Sequence, residues 1–340
     1  MTPKICLIPK LDGLGGMVSF EAKFIQGLDA RQIPHTFNLN DPEITAVLVI
    51  GGTRHLLPLW QAKRRGARII QRLNGMNWLH KAEKTPLRAT LRASANNTLL
   101  ATIRRHLADR IVYQSEFSRS WWNRVYGEVA IPTQVAHNGV DLSQYTPDGP
   151  GERPTDHYRI LLVEGRLTGG YARGLETAVR MAAAVQTEHK LPVELMVVGE
   201  VSPEIQSRAQ ALAPDLSITW RGVVPREAIP TLDRAAHVLF SADLNAACPN
   251  SVIEALACGL PVVAYDTGAL AELVRGGAGE VVPYGADYWR LQDPVITPLA
   301  AACAGILKDN AVYRQKARQR AETAFGLDAM VEAYLKALVD

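Results

Sequence analysis

The stretch Ala236-His-Val-Leu-Phe-Ser-Ala-Asp-Leu-Asn-Ala-Ala-Cys-Pro-Asn-Ser-Val-Ile-Glu-Ala-Leu-Ala-Cys-Gly-Leu-Pro-Val-Val-Ala-Tyr265 decides the fold. It reads as a buried strand over Val238 to Phe240, a polar loop, a short helix opening near Asn250, and a second buried strand over Pro261 to Tyr265. Pro249 and Asn250 are helix-start signals, and Gly259 followed by Pro261 is a stop signal. In such a unit the helix points its N-terminus, with unpaired backbone N–H groups, toward the strand ends, where it favours an anion such as phosphate. Glu254 falls about one turn inside the helix, too deep to cap it. A carboxylate there can accept the paired hydroxyls of a ribose. An ordinary βαβ unit with a solvated glutamate shows the same pattern.

Outward from this unit, strands and helices alternate as in a parallel, doubly wound α/β sheet. Lys4 to Pro9 reads as the first strand, followed by Leu11-Asp-Gly-Leu-Gly-Gly-Met-Val-Ser-Phe20, a glycine-rich turn that opens a helix with Val18, Phe24, Ile25 and Leu28 on its apolar face. Strand, glycines, helix is a phosphate-loop pattern, because backbone without side chains can approach an anion closely. Gly13 and Gly15 fit the first two glycines of a dinucleotide fingerprint but Val18 stands at the third, which argues against an NAD-type oxidoreductase. Further strands follow at 46–52 and 67–73 around a helix at 56–65. Asn74, just past the second of these strands, can hydrogen-bond a sugar hydroxyl or simply serve a turn; it cannot act as an acid or base. Asp109 to Ser118 reads as a strand ending in polar caps, and Ile131 to Ala136 as the last strand before Pro147 to Pro154, a segment of linker composition. Beyond it, Tyr158 to Leu167 is a strand ending in Gly165-Arg166, then comes the glycine-rich Thr168 to Ala172, and Arg173-Gly174 opens a helix. Strands at 193–200 and 217–225 precede the opening stretch, and helices at 298–307, 313–325 and 328–338 close the chain.

At 340 residues the natural division is two domains of about 150 each. Hydrophobic content of 47% with 21% charged residues suits packed globular cores, and no apolar run nears the roughly 20 residues of a membrane span. The N-terminal segment lacks the features of a signal peptide, so a cytoplasmic protein is expected. Cys6, Cys248, Cys258 and Cys303 lack metal-ligand spacing and are expected to be reduced structural thiols, with exposure left open for Cys248 in its loop. Net charge is only +3 but unevenly placed: residues 1–150 hold 19 Lys+Arg against 11 Asp+Glu, and the rest hold 18 against 23. The surplus concentrates from Lys63 to Arg124, partly on an amphipathic stretch whose Leu87, Leu91, Leu99, Leu100, Ile103 and Leu107 alternate with Arg88, Arg92, Arg104 and Arg105. It fits an anionic acceptor, a phospholipid surface at the inner membrane face, or a plain solvated face over a core-directed stripe.

Ser-Val-Ile-Glu-Ala-Leu-Ala-Cys-Gly-Leu-Pro-Val-Val (251–263) resembles the donor-site segment of the family 4 retaining glycosyltransferases, which have the GT-B fold: two Rossmann-like parallel-sheet domains facing across a cleft. Glu254 matches the second glutamate of the family's paired signature, which holds the donor ribose; Ala246 stands where the first would fall. Asn74 stands where many members carry a histidine. The resemblance implies an N-terminal acceptor-side domain over 1–150, a donor domain over 151–325, and a final helix at about 326–340 returning to the first domain. It implies transfer of a sugar from a nucleotide diphosphate donor to a glycan, lipid-linked or small-molecule hydroxyl, with retention and with no metal or other cofactor. Arg166 and Arg173 would then serve as catalytic cations on the diphosphate. Gly15, Gly16, Asn74, Val223, Asn250, Ser251, Val252 and Glu254 would bind the donor, Val223 lying in the loop beside the base. Nothing points to nucleic acid. The departures at Ala246 and Asn74 keep open a second function, a donor-binding or partner subunit of the same fold without turnover.

Overall fold

The computed structural model describes residues 3–13, 15–83, 85–167 and 172–339. The chain forms two compact units, one comprising the residues up to Gly139 together with those from Leu327 onward, the other Val140–Gly326.

In the first unit the order is β1 (Ile5–Ile8), α1 (Gly16–Ala30), β2 (His35–Thr36), β3 (Ala46–Ile50), α2 (Leu56–Arg64), β4 (Arg68–Leu73), α3 (Leu79–Ala82), α4 (Leu87–Thr102), β5 (Arg110–Tyr113), α5 (Glu116–Tyr126) and β6 (Thr133–Val135). The strands lie in the order β2-β1-β3-β4-β5-β6, every pair parallel. β1 and β3 are wholly buried, which is why they read as unbroken apolar runs rather than alternating ones. Facing them, α1 buries Phe20, Phe24 and Leu28, a spacing of four along one helical face; Val18 and Ile25 are only half-buried. The polar segment after β5 proves to be a helix, α5, whose N-cap Ser115 accepts a bond from the Ser118 amide at 3.1 Å while Trp121 and Trp122 enter the core.

The amphipathic stretch divides in two. Leu87 and Leu91 are 73% and 60% exposed, whereas Leu100 and Ile103 are buried where α4 runs into a π turn over Ile103–Leu107. Arg104, counted among the surface cations from sequence, is buried and donates to the Tyr113 hydroxyl at 2.8 Å and to Asn123 Oδ1 at 2.6 Å. Lys84, also in that count, lies outside the described residues.

The second unit runs β7 (Tyr158–Arg166), α6 (Ala172–Glu188), β8 (Val193–Glu200), α7 (Pro203–Leu212), β9 (Ser217–Gly222), α8 (Ile229–Arg234), β10 (Val238–Ser241), α9 (Asn250–Ala257), β11 (Val262–Tyr265), α10 (Leu270–Leu273), β12 (Gly279–Val282), α11 (Ile296–Lys308) and α12 (Asn310–Ala324). Its sheet, again all parallel, is ordered β12-β11-β10-β7-β8-β9. The core under β7, β8 and β10 is closed by α6 and α11, with Leu175, Val179, Ile306 and Leu307 buried. Thr168 to Tyr171, read from sequence as a glycine-rich loop, lie outside the described residues. The last helix, α13 (Leu327–Val339), belongs to the first unit: Tyr334 meets Phe20 and Phe24 at ring distances of 4.9 and 5.7 Å, and Arg31 pairs with Asp328 and Glu332. None of the four cysteines is in a disulfide and all are buried, Cys248 included, although its loop position left exposure open; the loop that carries it folds inward. Among the described residues no helix is long and apolar enough to cross a membrane.

Candidate functional site

In the second unit, β7 leads to β8 and β9 on one side of the sheet, and the chain then crosses to lay β10, β11 and β12 on the other. Open α/β sheets take ligands at the carboxyl ends of the strands where the order reverses, here between β7 and β10. Arg166 is the last residue of β7 and Arg173 the second residue of α6. Arg166 sits opposite Glu200 in the ladder and donates from Nε to Glu200 Oε2 at 2.8 Å. That register depends on Gly199. Its φ is +138°, and a Cβ there would lie 2.0 Å from the Glu164 carbonyl oxygen. Arg173 donates from Nη1 to the Leu291 carbonyl at 3.0 Å and lies 3.4 Å from Asp293 Oδ1. Both guanidinium groups are well exposed, as a cation that meets a ligand must be.

After β10 the chain enters α9 with Pro249 at the N-cap and no side-chain cap on the helix. Asn250 and Ser251, the first two helical residues, are half-buried; Val252 is fully buried and serves the core. The other end of α9 is held by α12: Arg318 Nη1 donates to the Ala257 carbonyl at 2.7 Å and Arg314 Nη2 to that of Cys258 at 3.3 Å. Cations on the C-terminal carbonyls complement the helix dipole and fix the helix from behind. Glu254 is buried and faces Arg226, whose Nη2 lies 3.7 Å from Oε1. Burial, reinforced by the charge of Glu254, pushes the Tyr145 phenol and the Asp233 carboxyl above their usual ranges. Glu254 is therefore a fixed group in a tight polar cluster, not a solvated side chain. Val223 stands exposed immediately after β9.

Several groups at this edge escaped the sequence reading. Glu200 and Asp293 hold the two arginines, and Arg226 faces Glu254. Glu164 and Asp243, at the ends of β7 and β10, are both desolvated, which raises the pKa of each; the charge of Asp243 raises Glu164 further. A signal existed for some: Glu200 ends a buried strand at the ligand edge, as Arg166 does. Ala246, in the place of the family's first glutamate, is buried, and its carbonyl accepts from the Ala269 amide at 2.8 Å.

In the first unit the strand order reverses between β1 and β3. Gly15 precedes α1 with φ +135°, no described residue beyond its chain neighbours would come within 4 Å of a Cβ placed on it, and Gly16 begins the helix; both are exposed. The buried Glu21 accepts from the Leu11 amide at 3.2 Å and so tethers the loop. Asn74 follows β4, half-buried, and its carbonyl accepts from Ser118 Oγ at 3.1 Å and Trp122 Nε1 at 2.7 Å. Arg72 is fully buried, lies 3.8 Å from the Phe20 ring centroid and donates to Asn138 Oδ1 at 2.8 Å. Gly15, Gly16 and Asn74 thus occupy one unit, and Arg166, Arg173, Val223, Asn250, Ser251, Val252 and Glu254 the other.

Two six-stranded parallel sheets of these orders make this an α/β protein of the GT-B class. HepE of Anabaena, crystallised with UDP-glucose, superposes with a TM-score of 0.68 over 98% of this chain and 100% of HepE, at 16% identity. Residues 158–309 match the family described as glycosyl transferases group 1. A D-inositol 3-phosphate glycosyltransferase of Rhodococcus erythropolis is 26% identical over 253 residues, 68% of this chain and 55% of that protein. A GDP-mannose-dependent alpha-(1-6)-phosphatidylinositol dimannoside mannosyltransferase of Mycobacterium tuberculosis is 27% identical over 177 residues, 50% of this chain and 44% of that protein. The chain spans about half the length of these curated relatives.

Proposed function

We propose that the protein is a glycosyltransferase that moves a sugar from a nucleotide diphosphate donor to a hydroxyl acceptor, with retention at the anomeric carbon and without a bound metal. One observation carries this most: within the unit that matches the family, Arg166, Arg173 and the N-terminus of α9, which has no side-chain cap, lie at the ligand edge of a single sheet, with a fixed carboxylate, Glu254, one turn into the helix. When the glycosidic C–O bond breaks, the departing diphosphate gains negative charge. Two guanidinium groups and the backbone N–H groups of Asn250 and Ser251 stabilise that charge, and an arginine can bind phosphate through two parallel bonds. Glu254 accepts the ribose hydroxyls, the backbone around Val223 meets the base, and Val252 anchors the helix in the core. Gly15 and Gly16 leave room for the diphosphate and acceptor, and Asn74 offers a hydrogen bond to a sugar hydroxyl.

The acceptor is anionic or membrane-borne in this proposal, at the cytoplasmic face. The basic surplus of residues 1–150 supports it, as do exposed apolar side chains on α2, Leu57 and Trp60, the latter 4.9 Å from Arg64, and on α4, Leu87 and Leu91. The names of the two curated relatives, an inositol phosphate and a phosphatidylinositol glycan enzyme, point the same way. The test is a panel of UDP-, GDP- and ADP-sugars scored by thermal shift, then by transfer or hydrolysis. One donor raising Tm and being turned over is the expected result. Tight binding with neither transfer nor hydrolysis would favour the alternative, a donor-binding subunit without turnover, for which the buried Ala246 is the motive.

A further inference from the structure

Each arginine assigned to the diphosphate is gripped by a carboxylate from a neighbouring loop or strand. Arg166 donates through Nε to Glu200, a contact set by strand register: the two residues are ladder partners at the ends of β7 and β8, and the adjacent Leu167 amide donates to the Glu200 carbonyl at 2.9 Å. Arg173 reaches a strap between β12 and α11. Leu291, held at φ +54°, presents its carbonyl at 3.0 Å, and Asp293 lies at 3.4 Å from Arg173 and 4.0 Å from Arg180, two turns further along α6. The strap is itself pinned. The Tyr284 hydroxyl donates to the Gln292 carbonyl at 2.7 Å, and the Tyr265 hydroxyl to that of Val295 at 2.9 Å. Both tyrosines are buried, and Asp287 caps the short turn with bonds from the Trp289 and Arg290 amides. So much hydrogen bonding around one short 3-10 turn builds a fixed platform, and what it presents to α6 is a carbonyl and a carboxylate aimed at Arg173.

Resting on the proposed donor reading, we infer that Glu200 and Asp293 are positioning residues that aim Arg166 and Arg173 at the donor's diphosphate. An exposed arginine loses rotamer freedom when it binds, a cost of up to about 2 kcal/mol on general scales. A partner that already holds the side chain removes part of that cost before the ligand arrives. The opposite role is open to the same carboxylates, because a negative charge beside a guanidinium also weakens its pull on phosphate. The two roles predict effects of opposite sign.

Calorimetric titration of UDP, GDP and ADP, with UMP, GMP and AMP as one-phosphate controls, separates them. Glu200→Ala and Asp293→Ala should each weaken the preferred diphosphate about two- to fivefold, the range of exposed ion pairs, with a smaller effect on its monophosphate and an unchanged Tm. Glu200→Gln, which keeps an acceptor for Nε, should recover most of the loss. Adding Glu200→Ala to Arg166→Ala, or Asp293→Ala to Arg173→Ala, should cost nothing more, because the positioned group is already gone. Unchanged or tighter diphosphate binding by the single carboxylate variants overturns the inference, as does a loss that persists in full in the arginine-deleted backgrounds. Those results leave the donor reading standing. If the wild type binds none of the diphosphates, or Arg166→Ala binds them as the wild type does, the donor reading falls and takes this inference with it.

Discussion

The two units share one architecture and differ in what they place at its ligand edge. In the first, the loop after β1 carries Gly13 and Gly15, and Arg72, next to last in β4, is buried against Phe20. In the second, the arginine at the end of β7, Arg166, is well exposed and paired with Glu200. An arginine near the end of a strand is part of the core in one sheet and available to a ligand in the other. Fold places the edge; the side chains exposed on it decide the chemistry.

Exchanging arginine for alanine at the two positions should therefore break different things. Arg166→Ala should lower transfer by about a hundredfold or more, the scale of losing one fixed charge-stabilising group, with Tm within about a degree of the wild type. Arg72→Ala should instead destabilise the fold by roughly 3 kcal/mol, because it strips buried contacts and hydrogen bonds at once. Transfer assays beside thermal melts check both. A destabilised Arg166→Ala with normal transfer per folded molecule would erase the contrast.

Next in size is Gly199→Ala. A Cβ 2.0 Å from the Glu164 carbonyl, at φ +138°, must push the ends of β7 and β8 apart. The expected cost is about 2–4 kcal/mol, with donor affinity reduced because the Arg166–Glu200 pair depends on that register. Denaturant melts and nucleotide titration of the same variant read the two effects.

The smallest expected effect is the pH dependence set at the second unit's edge. Desolvation, then the charge of Asp243, raises the Glu164 pKa above the usual carboxylate range, whereas an unfolded glutamate titrates near about 4.3. Above the unfolded value the folded chain keeps a proton that the unfolded chain releases, so stability falls as pH rises until Glu164 ionises in the folded chain as well. Tm should drop by roughly a few degrees between pH 5 and pH 9, and Glu164→Gln should flatten the slope. An identical slope in that variant would assign the effect elsewhere.

Much of this edge is written locally. Pro249-Asn250 and Gly259 mark α9, and buried strands of four to nine residues mark both sheets, because caps and apolar runs depend on neighbours in sequence. What was not legible depends on distance. The partner of Arg166 is fixed by strand register 34 residues away, and the strap around Leu291 has neither periodicity nor a turn glycine at its left-handed residue. Buried arginines mislead for a related reason. Arg72 and Arg104 look like surface cations until Phe20 and Tyr113 close over them. Cys248 likewise reads as loop, and burial of that loop is a tertiary fact.

The most direct test is a crystal of the protein grown with its preferred nucleoside diphosphate. The diphosphate is expected within hydrogen-bond distance of Arg166, Arg173 and the Asn250–Ser251 amides, with both ribose hydroxyls on Glu254. A nucleotide ordered elsewhere on the chain, with these groups still bound only to their protein partners, would contradict the assignment.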